Sequence, residues 1–119
     1  MNNIITIQSS LNIKYDNSIV YNVDSIIYDD DRFSINLSSW KARFMFNNYS
    51  IDCIYLYRKH NYKFIYDDIK NYLPKLKKSG YMCGVGYNEA YIDVMNAVND
   101  TIGEPDIIFE TGEWIYNVK

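Results

Sequence analysis

Histidine, cysteine and arginine are scarce in this sequence, which has one His, two Cys and three Arg among 119 residues. Two cysteines are too few for a disulfide framework. His60 is the sole histidine, and Cys53 and Cys83 are 30 positions apart, so no spacing of metal ligands is present and neither a metal site nor another cofactor is expected. The sequence also has no G-x-S-x-G elbow and no P-loop. We therefore predict a protein that is not an enzyme.

Long apolar runs and targeting segments are also missing. No stretch reaches the roughly 18 apolar residues that a membrane helix needs, and no positively charged start leads into an apolar segment. The sequence therefore predicts a cytoplasmic location without membrane contact. With two prolines, five glycines and 48% hydrophobic residues, the chain is neither a linker nor disordered. Its length of 119 residues predicts a single domain over residues 1–119.

The first half of the chain has the period-two alternation of strands. Phe44 and Phe46 are expected to face one side of a strand, and Asn47-Asn48 to form a tight hairpin turn into the next strand. Because alternation with one polar face is typical of antiparallel sheets, an antiparallel meander is predicted. The strand-like segments are residues 5–7, 11–15, 20–28, 33–37, 44–46 and 51–57.

Two helices follow, predicted at about residues 66–79 and 89–102 because apolar residues recur there at helical spacing. Pro74 is expected to bend the first helix and Gly80 to end it. Asn88 is the expected N-cap of the second helix.

Two short strands, at residues 107–109 and 114–116, close the chain. The order of elements predicts an α+β fold. We expect a mainly antiparallel β-sheet of about six to eight strands, with two helices packed on one face.

The net charge of −3 conceals a division along the chain. Residues 58–78 include seven basic and two acidic residues, whereas residues 79–118 include seven acidic residues and no Lys or Arg. An acidic field attracts basic proteins and repels nucleic acid. Acidic residues with two aromatic anchors form the predicted partner-binding surface, although Trp114 also suits a core position. This surface comprises Glu89, Asp93, Asp100, Glu104, Glu110, Glu113, Trp114 and Tyr91.

Two other stretches suggest different chemistry. Aromatic residues interleave with Arg58 and Lys59 as in single-strand binding platforms, but the acidic total favours no nucleic-acid role. The glycine-rich segment 80–88, from Gly80 to Asn88, runs into a predicted helix and could bind a small ligand. Cys83 there could act as a nucleophile with His60 as its base, but a lone cysteine is more often a small buried hydrophobe.

The segment Ile102-Gly103-Glu104-Pro105-Asp106, followed by a strand and Trp114-x-Tyr116, is similar to a helix–G-x-P-D–strand–W-x-Y arrangement. That arrangement is found in small bacterial binding domains, including lipoprotein-assembly and lactamase-inhibitor folds. In size, acidity and lack of catalytic motifs the chain resembles the small acidic immunity proteins of bacterial polymorphic toxin systems, including contact-dependent inhibition systems.

This resemblance implies a protein-binding inhibitor, an antitoxin that covers the basic active-site region of a nuclease-type toxin. The partner would be a basic protein, and the inhibitor a monomer or weak dimer. Two alternatives remain open. One is a phage or viral inhibitor of a host defence protein. The other is a small-ligand-binding or thiol enzyme that uses the segment 80–88.

Overall fold

Seven strands form one sheet in the computed structural model, which describes residues 2–7, 18–23, 33–35 and 37–119. Three α-helices accompany the sheet in these ranges, with 3₁₀ turns at Arg43–Met45, Leu73–Lys75 and Glu89–Tyr91. In chain order the elements are β1 (Asn2–Ile7), β2 (Ser18–Val23), β3 (Phe33–Ile35), α1 (Ser39–Ala42), β4 (Ile51–Leu56), α2 (Tyr62–Tyr72), β5 (Leu76–Gly84), α3 (Ile92–Thr101), β6 (Ile107–Ile108) and β7 (Trp114–Asn117).

The sheet is mostly parallel, so the predicted antiparallel meander is wrong. Its strand order is β3-β2-β1-β4-β5-β7-β6. Neighbouring strands from β1 to β5 pair in parallel, whereas β7 runs antiparallel to both β5 and β6. Helix α2 lies between β4 and β5 and provides the crossover that adjacent parallel strands require. The coarser prediction, a protein with helices and a sheet of this size, is confirmed.

A buried polar pair at the centre of the sheet explains why the alternation was misleading. Thr6 of β1 and Asn22 of β2 are register partners with exposures of 0% and 2%, and the Thr6 hydroxyl donates to the Asn22 side-chain oxygen. A buried polar group that is satisfied in this way needs no solvent. Because Ile5 and Ile7 are also buried, β1 is covered on both faces, as parallel strands usually are.

The first predicted helix begins and ends earlier than expected. The Asn61 side chain caps α2 by accepting from the Phe64 N–H at 3.3 Å. Pro74 lies in the 3₁₀ turn after the helix and does not bend it. Since proline cannot donate an N–H and clashes with the preceding turn, the helix stops before it. Lys77 and Lys78, which lie within the predicted helical range, belong to β5.

The strand predicted at residues 44–46, with its hairpin turn at Asn47-Asn48, is also wrong. Helix α1 and a 3₁₀ turn occupy residues 39–45 and lead into β4. The second predicted helix is confirmed within a few residues, because Asn88 caps the 3₁₀ turn that leads into α3. Three helices therefore replace the two that were predicted.

Apolar residues of α2 and α3 form the core together with the sheet. The two helices pack against each other, and their buried residues meet buried residues of β1, β4 and β5. The central members are Ile5, Ile54, Ile65, Ile69, Tyr72, Met82, Val94, Ala97, Val98 and Trp114.

Some predictions lie outside the described residues, namely the strand segments 11–15 and 24–28. The single domain over residues 1–119 stays a prediction. In the ranges that the structure describes, no helix has the length and apolar character needed to cross a membrane.

The Asp52 carboxylate ties β4 to both neighbouring strands. It accepts from the Asn3 N–H of β1 at 2.8 Å and from the Lys77 ammonium of β5 at 3.2 Å. Burial alone would raise the pKa of Asp52, but these two donors outweigh it and lower the pKa below its ordinary value.

A carboxyl with a lowered folded-state pKa contributes stability at neutral pH that is lost as the pH falls through that pKa. We therefore expect Asp52→Asn to be less stable than the wild type at neutral pH, with a difference that shrinks in acid. Urea unfolding over a series of pH values measures this difference. A difference independent of pH would show that shape, and not charge, accounts for the role of Asp52.

Candidate functional site

The site lies along the edge at which the parallel strands end, here called the carboxyl edge. The chain proceeds from β1 to β2 on one side and returns to β4 on the other side of β1. In open α/β sheets the crevice at such a reversal of strand order is where ligands bind. Two described segments lie at this edge, residues 57–61 after β4 and residues 85–88 after β5.

The turn after β4 is held by contacts to two helices. Arg58 Nε donates to Asp68 Oδ2 of α2 at 3.1 Å, and Asp68 also accepts from the Ser39 hydroxyl of α1. At the end of the turn, the Asn61 N–H donates to Asp93 Oδ2 of α3 at 2.9 Å. The backbone of Asn61 has a φ of +72°, which asparagine tolerates better than most residues. These contacts give the turn a defined position.

A groove of about 400 Å³, here called the cationic groove, opens at this turn. Two of its side chains face Tyr91, which precedes α3: the Lys59 ammonium lies 5.3 Å from the centre of the Tyr91 ring, and the His60 ring lies 5.5 Å from it. No ion pair joins Lys59 to a carboxylate among the residues that the structure describes. The groove is lined by Tyr57, Arg58, Lys59, His60, Asn61 and Phe64.

A second groove, of about 330 Å³ and here called the apolar groove, lies between the ends of β4, β5 and β7. Tyr55 and Tyr57 stack along one wall with ring centres 6.0 Å apart. Glu113 is its acidic residue, and the Thr111 hydroxyl, with a smaller effect of Lys59, lowers the pKa of this carboxyl. The groove is lined by Tyr55, Tyr57, Cys83, Gly84, Val85, Phe109, Glu113, Trp114 and Ile115.

The glycines in the segment 80–88 serve internal packing. Gly80 and Gly84 belong to β5, so half of the predicted loop is strand. A Cβ on Gly84 would lie 2.5 Å from the Trp114 ring. Gly86 has a φ of +80°, and a Cβ there would lie 3.3 Å from Val94. Neither position is an open cradle for a ligand.

The suggested nucleophile and base do not meet. Cys83 lies beside Cys53, with 4.0 Å between the sulfur atoms, whereas the His60 ring contacts Tyr91. The hydrogen bond shared with Cys83, together with burial, raises the pKa of the Cys53 thiol. The alternative of a thiol enzyme is therefore wrong.

The predicted partner-binding residues are dispersed. Trp114 is 1% exposed and lies in the core. Asp100 accepts from the Tyr62 hydroxyl at 2.7 Å, which raises the pKa of Tyr62 to about 12. Tyr91, Asp93 and Glu113 lie near the two grooves. Glu89, Glu104 and Glu110 are exposed elsewhere on the surface. A partner-binding role for the eight residues stays a prediction.

Sequence reasoning considered Arg58 and Lys59 only as part of a nucleic-acid platform and His60 only as a base for Cys83, and it did not group the three residues as a site. The missed signal is their position directly after a buried strand and directly before a helix. In a parallel sheet that position places side chains at the carboxyl edge.

No protein-family model and no curated protein matches the chain. Solved structures do match. A protein of Corynebacterium glutamicum superposes with a TM-score of 0.68 at 10% identity over 98% of this chain. Geranyl diphosphate C-methyltransferase from Streptomyces coelicolor, solved with S-adenosyl-L-homocysteine, superposes with 0.66 at 12% identity over 93%. Fibrillarin from Aeropyrum pernix, solved with bound S-adenosyl-L-methionine, superposes with 0.62 at 14% identity over 98%.

These matches overturn the functional predictions made from sequence. The immunity protein with a basic toxin partner is wrong, because the fold is shared with proteins that bind S-adenosyl compounds. The viral inhibitor fits no better, and the prediction of a protein that is not an enzyme is overturned, because the chain shares its fold with a C-methyltransferase. The chain spans 72%, 55% and 66% of the lengths of the three matched chains, respectively. At these identities the likeness establishes a common fold and nothing further.

Proposed function

We propose that this chain binds S-adenosylmethionine at the carboxyl edge and takes part in methylation of a small molecule. One observation carries the proposal: the strand order β3-β2-β1-β4-β5-β7-β6, with β7 antiparallel, occurs in a fold shared with proteins solved with S-adenosyl compounds. Two grooves open at the same edge, beside the reversal of strand order where ligands bind in such sheets.

The sequence beyond β2 suits an adenosine group, with one departure between β1 and β2. Asp24 follows β2 directly in the sequence, and a carboxylate after this strand binds ribose hydroxyls in related nucleotide-binding folds. The ten residues 8–17 between β1 and β2 contain no glycine, so a glycine-rich turn has no counterpart there.

S-adenosylmethionine would supply a methyl group on a sulfonium, which an acceptor nucleophile attacks. The chain's own contribution is to position the acceptor and to receive its proton. His60 lines the cationic groove, and its imidazole is the side chain there that would take this proton. The turn that carries His60 is fixed by Asp68 and Asp93, so the imidazole has a defined place beside the grooves.

The two thiols support an intracellular location. Cys53 and Cys83 are free, although their sulfur atoms are 4.0 Å apart. Disulfide-stabilised domains belong mainly to oxidising compartments, and a chain of 119 residues with two cysteines is not of that kind.

Calorimetric titration with S-adenosylhomocysteine tests the proposal without knowledge of the acceptor. The wild type should bind this compound, and Asp24→Asn should weaken binding about tenfold, because a charge-assisted hydrogen bond to ribose is lost. Asp106→Asn is the matched control, since Asp106 bonds to Asn117 and Lys119 and not to groove residues. Absence of binding by the wild type would refute the proposal.

A further inference from the structure

We propose that the methyl acceptor is a small molecule with an apolar body and one anionic group, bound across the two grooves. Lys59 and His60 would hold the anion in the cationic groove, and Tyr55, Val85 and Phe109 would pack against the body in the apolar groove. That the ligand is a methyl acceptor rests on the proposed function, whereas the binding site itself rests on the two grooves.

The cationic groove contains a basic side chain, Lys59, that forms no ion pair among the described residues. Arg58 is committed to Asp68 at 3.1 Å, and the two side chains are only 15% and 4% exposed. Lys59 next to it has no ion-pair partner among the described residues, and the ring of Tyr91 supports its ammonium from one side. An ammonium in this setting is a natural partner for a phosphate or carboxylate. His60 adds an N–H donor beside it.

The apolar groove exposes aromatic surface that a bound ligand would bury. Phe109 is 49% exposed at its rim, although a phenyl ring gains free energy from burial. Stacked Tyr55 and Tyr57 form one wall and Val85 lies at the end of β5. A volume of about 330 Å³ lies in the range of small-ligand pockets and is too small for a folded partner.

One molecule can reach both grooves because they share a wall. Tyr57, the first residue after β4, lines the apolar groove and the cationic groove alike. Glu113 also connects the two grooves, because it lines the apolar groove and the charge of Lys59 contributes to lowering the pKa of its carboxyl. The negative charge of Glu113 repels a bound anion, whereas the positive charge of Lys59 attracts it.

Calorimetric titration with octyl phosphate, below its micelle concentration, tests the inference. We expect the wild type to bind octyl phosphate more tightly than the uncharged octyl glucoside. Lys59→Gln should weaken binding of octyl phosphate and butyl phosphate by the same factor, about tenfold. Phe109→Ala should weaken octyl phosphate more than butyl phosphate, because only the longer chain reaches the apolar groove. Glu113→Gln should strengthen both.

Octanoate, titrated in parallel, assigns the anion as phosphate or carboxylate, and preference for either supports the proposal. Equal affinity for octyl glucoside and octyl phosphate, no binding of octyl phosphate, or no effect of Lys59→Gln would overturn it. Titration of the same variants with S-adenosylhomocysteine separates the two proposals. If that compound fails to bind while octyl phosphate binding depends on Lys59, the methyltransferase function fails and the anion site stands.

Discussion

Replacing Asp68 with alanine should cost the protein about 3–5 kcal/mol of its free energy of unfolding. The Asp68 side chain of α2 is 4% exposed and pairs with Arg58, whose side chain is 15% exposed. Removing the carboxylate leaves the Arg58 guanidinium largely buried without this partner, and the Ser39 hydroxyl loses its acceptor. Small domains have only about 5–15 kcal/mol of stability, so a large share of it is at stake.

The neighbouring residue offers a matched control. Asp67 pairs with Lys63 one turn away on the exposed side of the same helix, at 2.8 Å and with side-chain exposures of 40% and 78%. Asp67→Ala should change stability by less than about 0.5 kcal/mol. Urea unfolding followed by circular dichroism measures both variants. Equal effects of the two substitutions would mean that the pair at Arg58 does not organise the turn after β4.

The second large effect is expected at Gly84, where β5 meets β7. A Cβ at this position would lie 2.5 Å from two atoms of the Trp114 ring, and Trp114 is 1% exposed in the core. Because neither the ring nor the strand pairing can yield without loss, Gly84→Ala should destabilise the protein by about 2–3 kcal/mol. Thermal unfolding gives the size of the loss.

A double-mutant cycle tests the cause. Trp114→Phe removes indole atoms that the new Cβ would meet, at its own cost in packing. In that background Gly84→Ala should cost distinctly less than in the wild type. If the two losses simply add, the damage at Gly84 has a source other than the indole ring.

The segregated charge was the strongest sequence signal, and in the fold some of the acidic side chains form hydrogen bonds within the molecule. Asp93 and Asp100 of α3 accept from Asn61 and Tyr62, which begin α2. Part of the acidic segment 79–118 thus packs against the basic segment 58–78, and two of its carboxylates are hydrogen-bonded within the molecule. The acidic segment contains no Lys or Arg of its own, so the sequence pattern suggested an external basic partner.

Local elements were predictable where the signal was local. Asn88 was predicted as the N-cap of the second helix, and in the structure it caps the 3₁₀ turn that leads into α3. Strand direction was not predictable from alternation, because the polar residues Thr6 and Asn22 satisfy each other in the interior. The cationic groove was missed because its position follows from the parallel pairing of β4 with its neighbours, and strand direction had been predicted wrongly.

The central position of β1 has a consequence for how the chain folds. β1 pairs with β2 on one edge and with β4 on the other, so one edge of β1 needs a partner that ends only at Leu56. During synthesis, one edge of β1, which contains Ile4 and Ile5, stays unpaired until β4 has been made. Bringing β1 and β4 together is slow, because the entropy of closing the long loop between them is lost before their contacts form. We expect refolding to be slower than for a helical protein of this size, with aggregation as the competing outcome when the chain is concentrated.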